Sequence, residues 1–324
     1  MMSDLRLNQL YAGSNHIHIH GHRGARGVMP ENTLEGFRYT FGIGIQFIEL
    51  DILMTADGVP VITHNPRLMP YSTRRNGQWL EIEGPLIAET SFDELSQYDV
   101  GGLKPASDYG KRYPDQAFQF GQTVPRLVDL CHLVNEPEHQ DVWLNIEIKS
   151  DPDHPENTPP VPKFVEGIID VLRNADVLER CILQSFDWRV LHECARIVPQ
   201  VPRSYLTYDF KPNAPMAVNI YDGSPWMAGL NLNETNGDLP ALIAKDGGKI
   251  WSPYHEDLTE QDMIFAKEQG LIVNVWTVNE IADIDRMIDL GVDGIISDYP
   301  GRVQRRLLDH KLTWFPPEQT NLDI

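Results

Sequence analysis

Between His20 and Asn65 the chain reads HGHRGARGVMPENTLEGFRYTFGIGIQFIELDILMTADGVPVITHN, a concentration of histidine, arginine and carboxylate that no stability argument requires. Glu49 and Asp51 stand two residues apart, and so do Glu147 and Lys149 in NIEIKS. On a strand, that spacing puts both members of a pair on one face. Carboxylates gathered on neighbouring strands repel unless something compensates them. A hard divalent cation such as Mg2+ or Ca2+ is the natural partner of oxygen ligands. Glu49, Asp51 and Glu147 are therefore candidate ligands of one divalent cation.

His22 and His64 are candidates for an acid and a base, Arg23 offers a planar fork for phosphate oxygens, and Lys149 is a second cation. Gly24, next to Arg23, would let backbone approach a ligand closely. Asp57-Gly58 between two apolar runs signals a hairpin. Taken as a two-residue loop, it sets His64 opposite Asp51, where the carboxylates would raise its pKa and make it a proton donor. Two histidines, two cations and three carboxylates are a kit for phosphoryl transfer between oxygens.

Elements must hold these residues in place. Histidine alternates with apolar residues and glycine from His16 to His22, the period of a strand. A helix follows, capped by Asn32 or Thr33 and ended by Gly42 and Gly44. Strands are expected over Phe47 to Met54 and Val59 to His64. Residues 66–122 break the rhythm, with one short helical stretch at Ser91 to Gln97, and read as an excursion over the mouth of the fold. Strands then alternate with helices to the last one, Val303 to His310. About eight strand-then-helix units close a (β/α)8 TIM barrel. An open doubly wound sheet would want GxGxxG after a strand, and none is present. The expectation is one distorted barrel domain over residues 1–324, with an insertion at about 66–122 after the first strand pair.

The net charge of −20 argues against nucleic acid and against an anionic membrane surface as partners, and does not exclude a small-molecule phosphate ester, because a few local cations or a metal can outvote the global field. Cys131, Cys181 and Cys194 cannot all pair and match no zinc spacing, so reduced thiols are expected. The N-terminal stretch lacks a signal-peptide apolar run, and no run is long enough for a membrane anchor. A cytoplasmic protein is the default. Several other residues attract attention. His16, His18 and His20 point with His22 to one face but cannot wrap one ion, and read as barrel-floor residues. Asp298 ends the final strand and could reach the site, but a cap or loop-fixing role before Pro300 is the favoured reading. Neither His255 nor Ser185 carries a strong functional signal.

HRGARGVMPENT, FIELDILMTADGVPVITHN and NIEIKS, with VNVWTVN and GVDGIISDYP late in the chain, resemble the glycerophosphodiester phosphodiesterases from about His20 to the last helix. The resemblance implies a barrel with one divalent cation that hydrolyses glycerophosphodiesters to glycerol 3-phosphate and an alcohol. It implies His22 and His64 as the acid/base pair, Glu49, Asp51 and Glu147 as metal ligands, and Arg23 and Lys149 on the phosphate. Glu31 would support the site as a further ligand or as an orienter of Arg23, and Trp276 would line the glycerol subsite. One departure is Asn65, where the family usually has aspartate after the histidine. Attack by the substrate's own 2-hydroxyl, through a cyclic intermediate, and direct attack by water both suit these residues. So does either assignment of acid and base. The rival readings are lysophospholipase D-like cleavage on the same site, an amidohydrolase-like metal hydrolase using His20, His22 and Asp298, and a binder of a phosphorylated ligand without turnover.

Overall fold

The structure, a computed structural model, is described here for Leu7, Tyr11 and residues 15–209 and 218–314. The first turn of the chain is β1 (His18–His22), α1 (Leu34–Gly42) and β2 (Phe47–Met54), from which β3 (Pro60–Ile62) folds back antiparallel. An insertion carries a small antiparallel sheet of β4 (Arg74–Arg75), β5 (Gln78–Trp79) and β6 (Tyr98–Asp99), with short helices α2 (Phe92–Leu95) and α3 (Asp108–Arg112). Regular alternation resumes with α4 (Leu127–Val134), β7 (Trp143–Ile148), α5 (Val161–Asn174), β8 (Cys181–Ser185), α6 (Trp188–Ile197) and β9 (Arg203–Thr207). It ends with α7 (Leu239–Lys245), β10 (Ile250–Pro253), α8 (Glu260–Glu268), β11 (Ile272–Val275), α9 (Ile281–Leu290), β12 (Gly294–Ser297) and α10 (Pro300–Asp309).

β1, β2 and β7 to β12 pair in parallel in chain order, and β12 returns to pair with β1, so the sheet closes into the eight-stranded barrel that the alternation predicts. The sheet of β4 to β6 and helix α3 were not legible, because their strands are two residues long and carry no period to read. α1 is capped by Thr33, whose Oγ accepts from Gly36 N at 3.1 Å.

Why the barrel holds a polar site is visible in β2. Its outward residues Ile48, Leu50, Ile52 and Met54 join Phe164, Ile168 and Leu172 of α5 in the shell between sheet and helices. Its inward residues run from Phe47 on the floor to Glu49 and Asp51 above. β7 repeats the plan with Trp143, Asn145 and Glu147 inward. The floor is closed by Leu7, Phe47, Trp143, Ile182 and Ile250, and His20 stacks on Phe47 at 4.6 Å between ring centroids. Tyr11 OH and His20 Nε2 are 3.2 Å apart, and burial keeps His20 well below its usual pKa. His18 and His20 belong to this layer, as expected of barrel-floor histidines.

Candidate active site

Register across three strands assembles the carboxylates. His22 is level with Glu49, and Asp51 is level with Glu147. Glu49, Asp51 and Glu147 are buried, and one oxygen from each lies within 4.8 Å of the others. Gln184 Nε2 and Arg23 N donate to Glu49, at 3.0 and 3.2 Å. Asn32 Nδ2 donates to Asp51 Oδ2 at 2.9 Å, with Arg23 Nε at 3.1 Å. Lys149 Nζ donates to Glu147 Oε1 at 2.8 Å and lies 3.4 Å from Asp51 Oδ1, a buried oxygen that accepts no hydrogen bond from the described residues.

Charge does not balance in this cluster. Burial, with the neighbouring charges of Asp51 and Glu147, lifts the Glu49 carboxyl well above its usual range, and burial raises Glu147 as well. Burial also opposes ionisation of Asp51, but Arg23, His64 and Lys149 outweigh it and hold that carboxyl well below its usual range. Three carboxylates thus face the two cations Arg23 and Lys149. The missing positive charge, the orphaned Asp51 oxygen and an all-oxygen donor set fit a hard divalent cation. A histidine-ligated zinc set of the amidohydrolase type does not form among the described residues.

His22 Nδ1 lies 2.6 Å from Asp298 Oδ1. A carboxylate only accepts, so Nδ1 carries the proton and Nε2 keeps its lone pair, 3.7 Å from Glu49 Oε2. Burial and the Arg26 guanidinium push His22 down to about 4 against the pull of Asp298. Asp298 is fully buried and takes further hydrogen bonds from Arg26 Nε and Nη2, at 2.8 and 2.9 Å, and from Asn279 Nδ2 at 2.7 Å. Asp298 thus reaches the site and does not cap the last helix: α10 starts at Pro300, and the residue before it, Tyr299, makes no side-chain cap. β12 closes onto β1, and that closure brings Asp298 to His22.

His64 reaches the same cavity by a different route from the one expected. Ile52 pairs with Ile62 and Met54 with Pro60, so the hairpin loop holds three residues, Ala56, Asp57 and Gly58, instead of two. Thr55 N and Val59 O close it at 3.0 Å, and Gly58 takes φ +80°. The register moves by one, and Thr63, not His64, stands beside Asp51, its N–H donating to the Asp51 carbonyl at 3.0 Å. β3 stops at Ile62, which frees the following residues to turn into the site. The expected rise in the His64 pKa is also overturned: burial, Arg23 and Lys149 outweigh Asp51 and hold it well below the usual value. Its Nδ1 lies 2.9 Å from Asn65 Oδ1, and Asn65 Nδ2 donates to Tyr71 OH at 2.9 Å.

The insertion buttresses this arrangement. The rings of Tyr71 and Tyr109 pack against each other, tilted, with centroids 4.4 Å apart. Tyr109 OH donates to Glu31 Oε2 at 2.6 Å and accepts from Arg26 Nη1 at 2.9 Å, while Glu31 Oε1 accepts from Arg23 Nη1 at 2.8 Å. Glu31 is thereby paired with Arg23 and lies outside the carboxylate cluster. Arg23 and Asn32, both non-glycine, sit at φ 52° and 54°, a strained backbone held by these contacts. Trp276 is half-buried on the far wall of the cavity, with Nε1 donating to Ser252 O at 2.9 Å and its ring edge-on to Phe186. Ser185 fixes a turn instead, donating to Ile148 O and accepting from Asp187 N. Arg26 and Gln184 were the residues sequence reasoning missed, and Asp298 was noticed but ranked below a structural role. The inward position of Gln184, level with Glu147, was the one available signal.

A parallel barrel with carboxylates, cations and two histidines at the ends of its strands is an enzyme scaffold, and the cluster is built for phosphate ester chemistry. Residues 22–302 match the Glycerophosphoryl diester phosphodiesterase family. A glycerophosphodiester phosphodiesterase of Caldanaerobacter subterraneus subsp. tengcongensis is 24% identical over 279 residues, covering 86% of this chain and 93% of its own. A crystal structure from Silicibacter pomeroyi DSS-3, of a protein assigned by name to the glycerophosphoryl diester phosphodiesterases, is 40% identical. It has a TM-score of 0.83 and covers 96% of this chain and 99% of its own. An Oleispira antarctica phosphodiesterase, solved with the product sn-glycerol-3-phosphate, shares the fold at a TM-score of 0.64 and 23% identity, covering 90% of this chain and 96% of its own. The chain belongs to the glycerophosphoryl diester phosphodiesterase family and is a phosphodiesterase.

Proposed function

We propose that the chain hydrolyses glycerophosphodiesters to sn-glycerol 3-phosphate and an alcohol, a step in lipid and glycerol metabolism, with His22 and His64 as base and acid. The observation that carries this reading is the pair of histidines that share one cavity with Glu49 and Glu147, each with Nδ1 tied back by its own acceptor. Glu49, Asp51 and Glu147 would hold one Mg2+ or Ca2+, which polarises phosphate oxygens when bound. Arg23 and Lys149 hold the phosphate, and Trp276 lines the glycerol subsite.

Partner chemistry assigns the two histidines. Asp298 stabilises a proton on His22, which suits the group that takes one from the attacking hydroxyl or water. His64 has only a neutral amide behind it and two cations beside it, so a proton held there is readily given to the leaving oxygen. The diester brings negative charge against Arg23 and Lys149, the two cations that depress His64, and so favours its protonation in the complex. Phosphodiester assays of His22→Ala and His64→Ala, with and without EDTA, test the reading, and full activity in both variants would end it. A p-nitrophenyl leaving group, which needs no acid, should rescue His64→Ala and not His22→Ala.

The insertion and the barrel work as one domain in this reading. Leu68, Ile87, Leu95, Tyr98 and Val124 form one apolar cluster with Leu53 and Val61 of the first hairpin. A single cooperative melting transition would be its signature. The three free, buried cysteines are in keeping with a cytoplasmic setting, and no helix among the described residues is long and apolar enough to cross a membrane.

A further inference from the structure

A phosphodiester carries two arms on one phosphorus, and two cavities meet at Lys149 of this site. One, about 290 Å³, contains His22, Arg23, Glu49 and Trp276; the other, about 320 Å³, runs out past Leu53, Pro66, Asp151 and Trp226. His64, Glu147, Lys149 and Phe186 line both, so the phosphate position is their junction. The second cavity has no role in the reading above, on which this inference rests. Its walls are mixed. Leu53, Pro66 and the rings of Phe186 and Trp226 are apolar, Asn65, Ser150, Asn157, Thr158 and Asn219 are neutral and polar, and Asp151 adds a carboxylate away from the catalytic cluster. Trp226 is half-buried and held by its Nε1, which donates to Asp153 Oδ2 at 3.3 Å. Asp151 Oδ1 accepts the backbone N–H groups of Asp153 and His154, at 2.8 and 3.2 Å, so the loop fixes that carboxylate in place. Asp151 forms no ion pair among the described residues, where the nearby Arg189 is engaged by Asp187.

We infer that this second cavity is the leaving-alcohol subsite and that it selects an alcohol with a compact ammonium group. A small cation beyond the phosphate would meet an indole face and a carboxylate whose own neighbours are backbone N–H groups. A neutral polyol would gain nothing from the charge of Asp151 or from the indole face. Asp151 and Trp226 are then specificity-determining residues, remote from the acid and base.

The experiment compares glycerophosphocholine with glycerophosphoglycerol, whose leaving arms are cationic and neutral, in wild type, Trp226→Ala, Trp226→Phe and Asp151→Asn. Wild type should prefer the choline arm in kcat/KM. The preference should fall about tenfold in Trp226→Ala and several-fold in Asp151→Asn, mainly through KM, and Trp226→Phe should recover most of it. Equal losses on both arms, or no change in the preference, would overturn the inference. Wild type inert on both diesters would instead remove the proposed function on which it rests.

Discussion

The two histidines occupy one cavity with contrasting support. His22 sits at the end of β1 in the barrel proper, and a carboxylate that Arg26 and Asn279 hold in place steadies its Nδ1. His64 sits just past a hairpin at the edge of the insertion, and the amide of the next residue, itself tied to Tyr71, steadies its Nδ1. Both devices fix the same tautomer and leave Nε2 for chemistry. Only one adds charge. The contrast shows how one fold prepares a base and an acid from the same side chain: the acceptor behind the ring decides which protonation state is favoured.

Mutations can break or sharpen that contrast. The largest effect should come from removing either ring. His22→Ala and His64→Ala should each lower kcat by about 10²–10⁴-fold, with the leaving-group rescue limited to His64→Ala. Glu49→Gln should come next, because it removes a cluster oxygen and leaves Arg23 N and Gln184 Nε2 facing an amide. Calorimetric titration with Mg2+ or Ca2+ should show at least tenfold weaker binding than wild type, and unchanged binding would remove Glu49 from the ligand set.

Asp298→Asn tests the charged device. Turnover should fall about 100-fold as the tautomer is lost. The pH profile should move as well. Asp298 raises the His22 pKa, so its loss lowers that pKa further, and the acid limb of kcat/KM shifts to lower pH. A shift upward would contradict the assignment. Asn65→Asp tests the neutral device with the opposite sign. A carboxylate behind His64 raises its pKa, so the limb on which the acid loses its proton should move to higher pH, with less than about tenfold change at the optimum. Tyr71→Phe removes only the hydroxyl behind Asn65 and should cost a few-fold in kcat on unactivated diesters, and less on p-nitrophenyl diesters.

Much of this site could be read from sequence because it rests on short-range geometry. The i, i+2 spacing of Glu49 with Asp51 follows from the two-residue period of a strand, and the number of strand–helix units set the closure of the barrel. The hairpin shows where such reading stops. Asp57-Gly58 marked a turn correctly, but Thr55 closes a three-residue loop with Val59, and a one-residue difference moves every partner on the return arm. The insertion itself could be read, but its part in the site could not: Tyr71 and Tyr109 act through a ring contact and hydrogen bonds to residues far along the chain, which no local pattern encodes.

By itself the sequence determined the chemical inventory: which carboxylates share a strand face, which histidines end a strand or follow a hairpin, and how many units surround them. Those features are local, set by backbone period and turn chemistry. Tertiary structure alone decided that Asp298 meets His22, that Gln184 and Arg23 meet Glu49, and that His64 loses rather than gains proton affinity in the free site. The physical reason is that closure puts β12 against β1, and that burial and the sum of neighbouring charges depend on every element packed around a group, not on its neighbours in the chain.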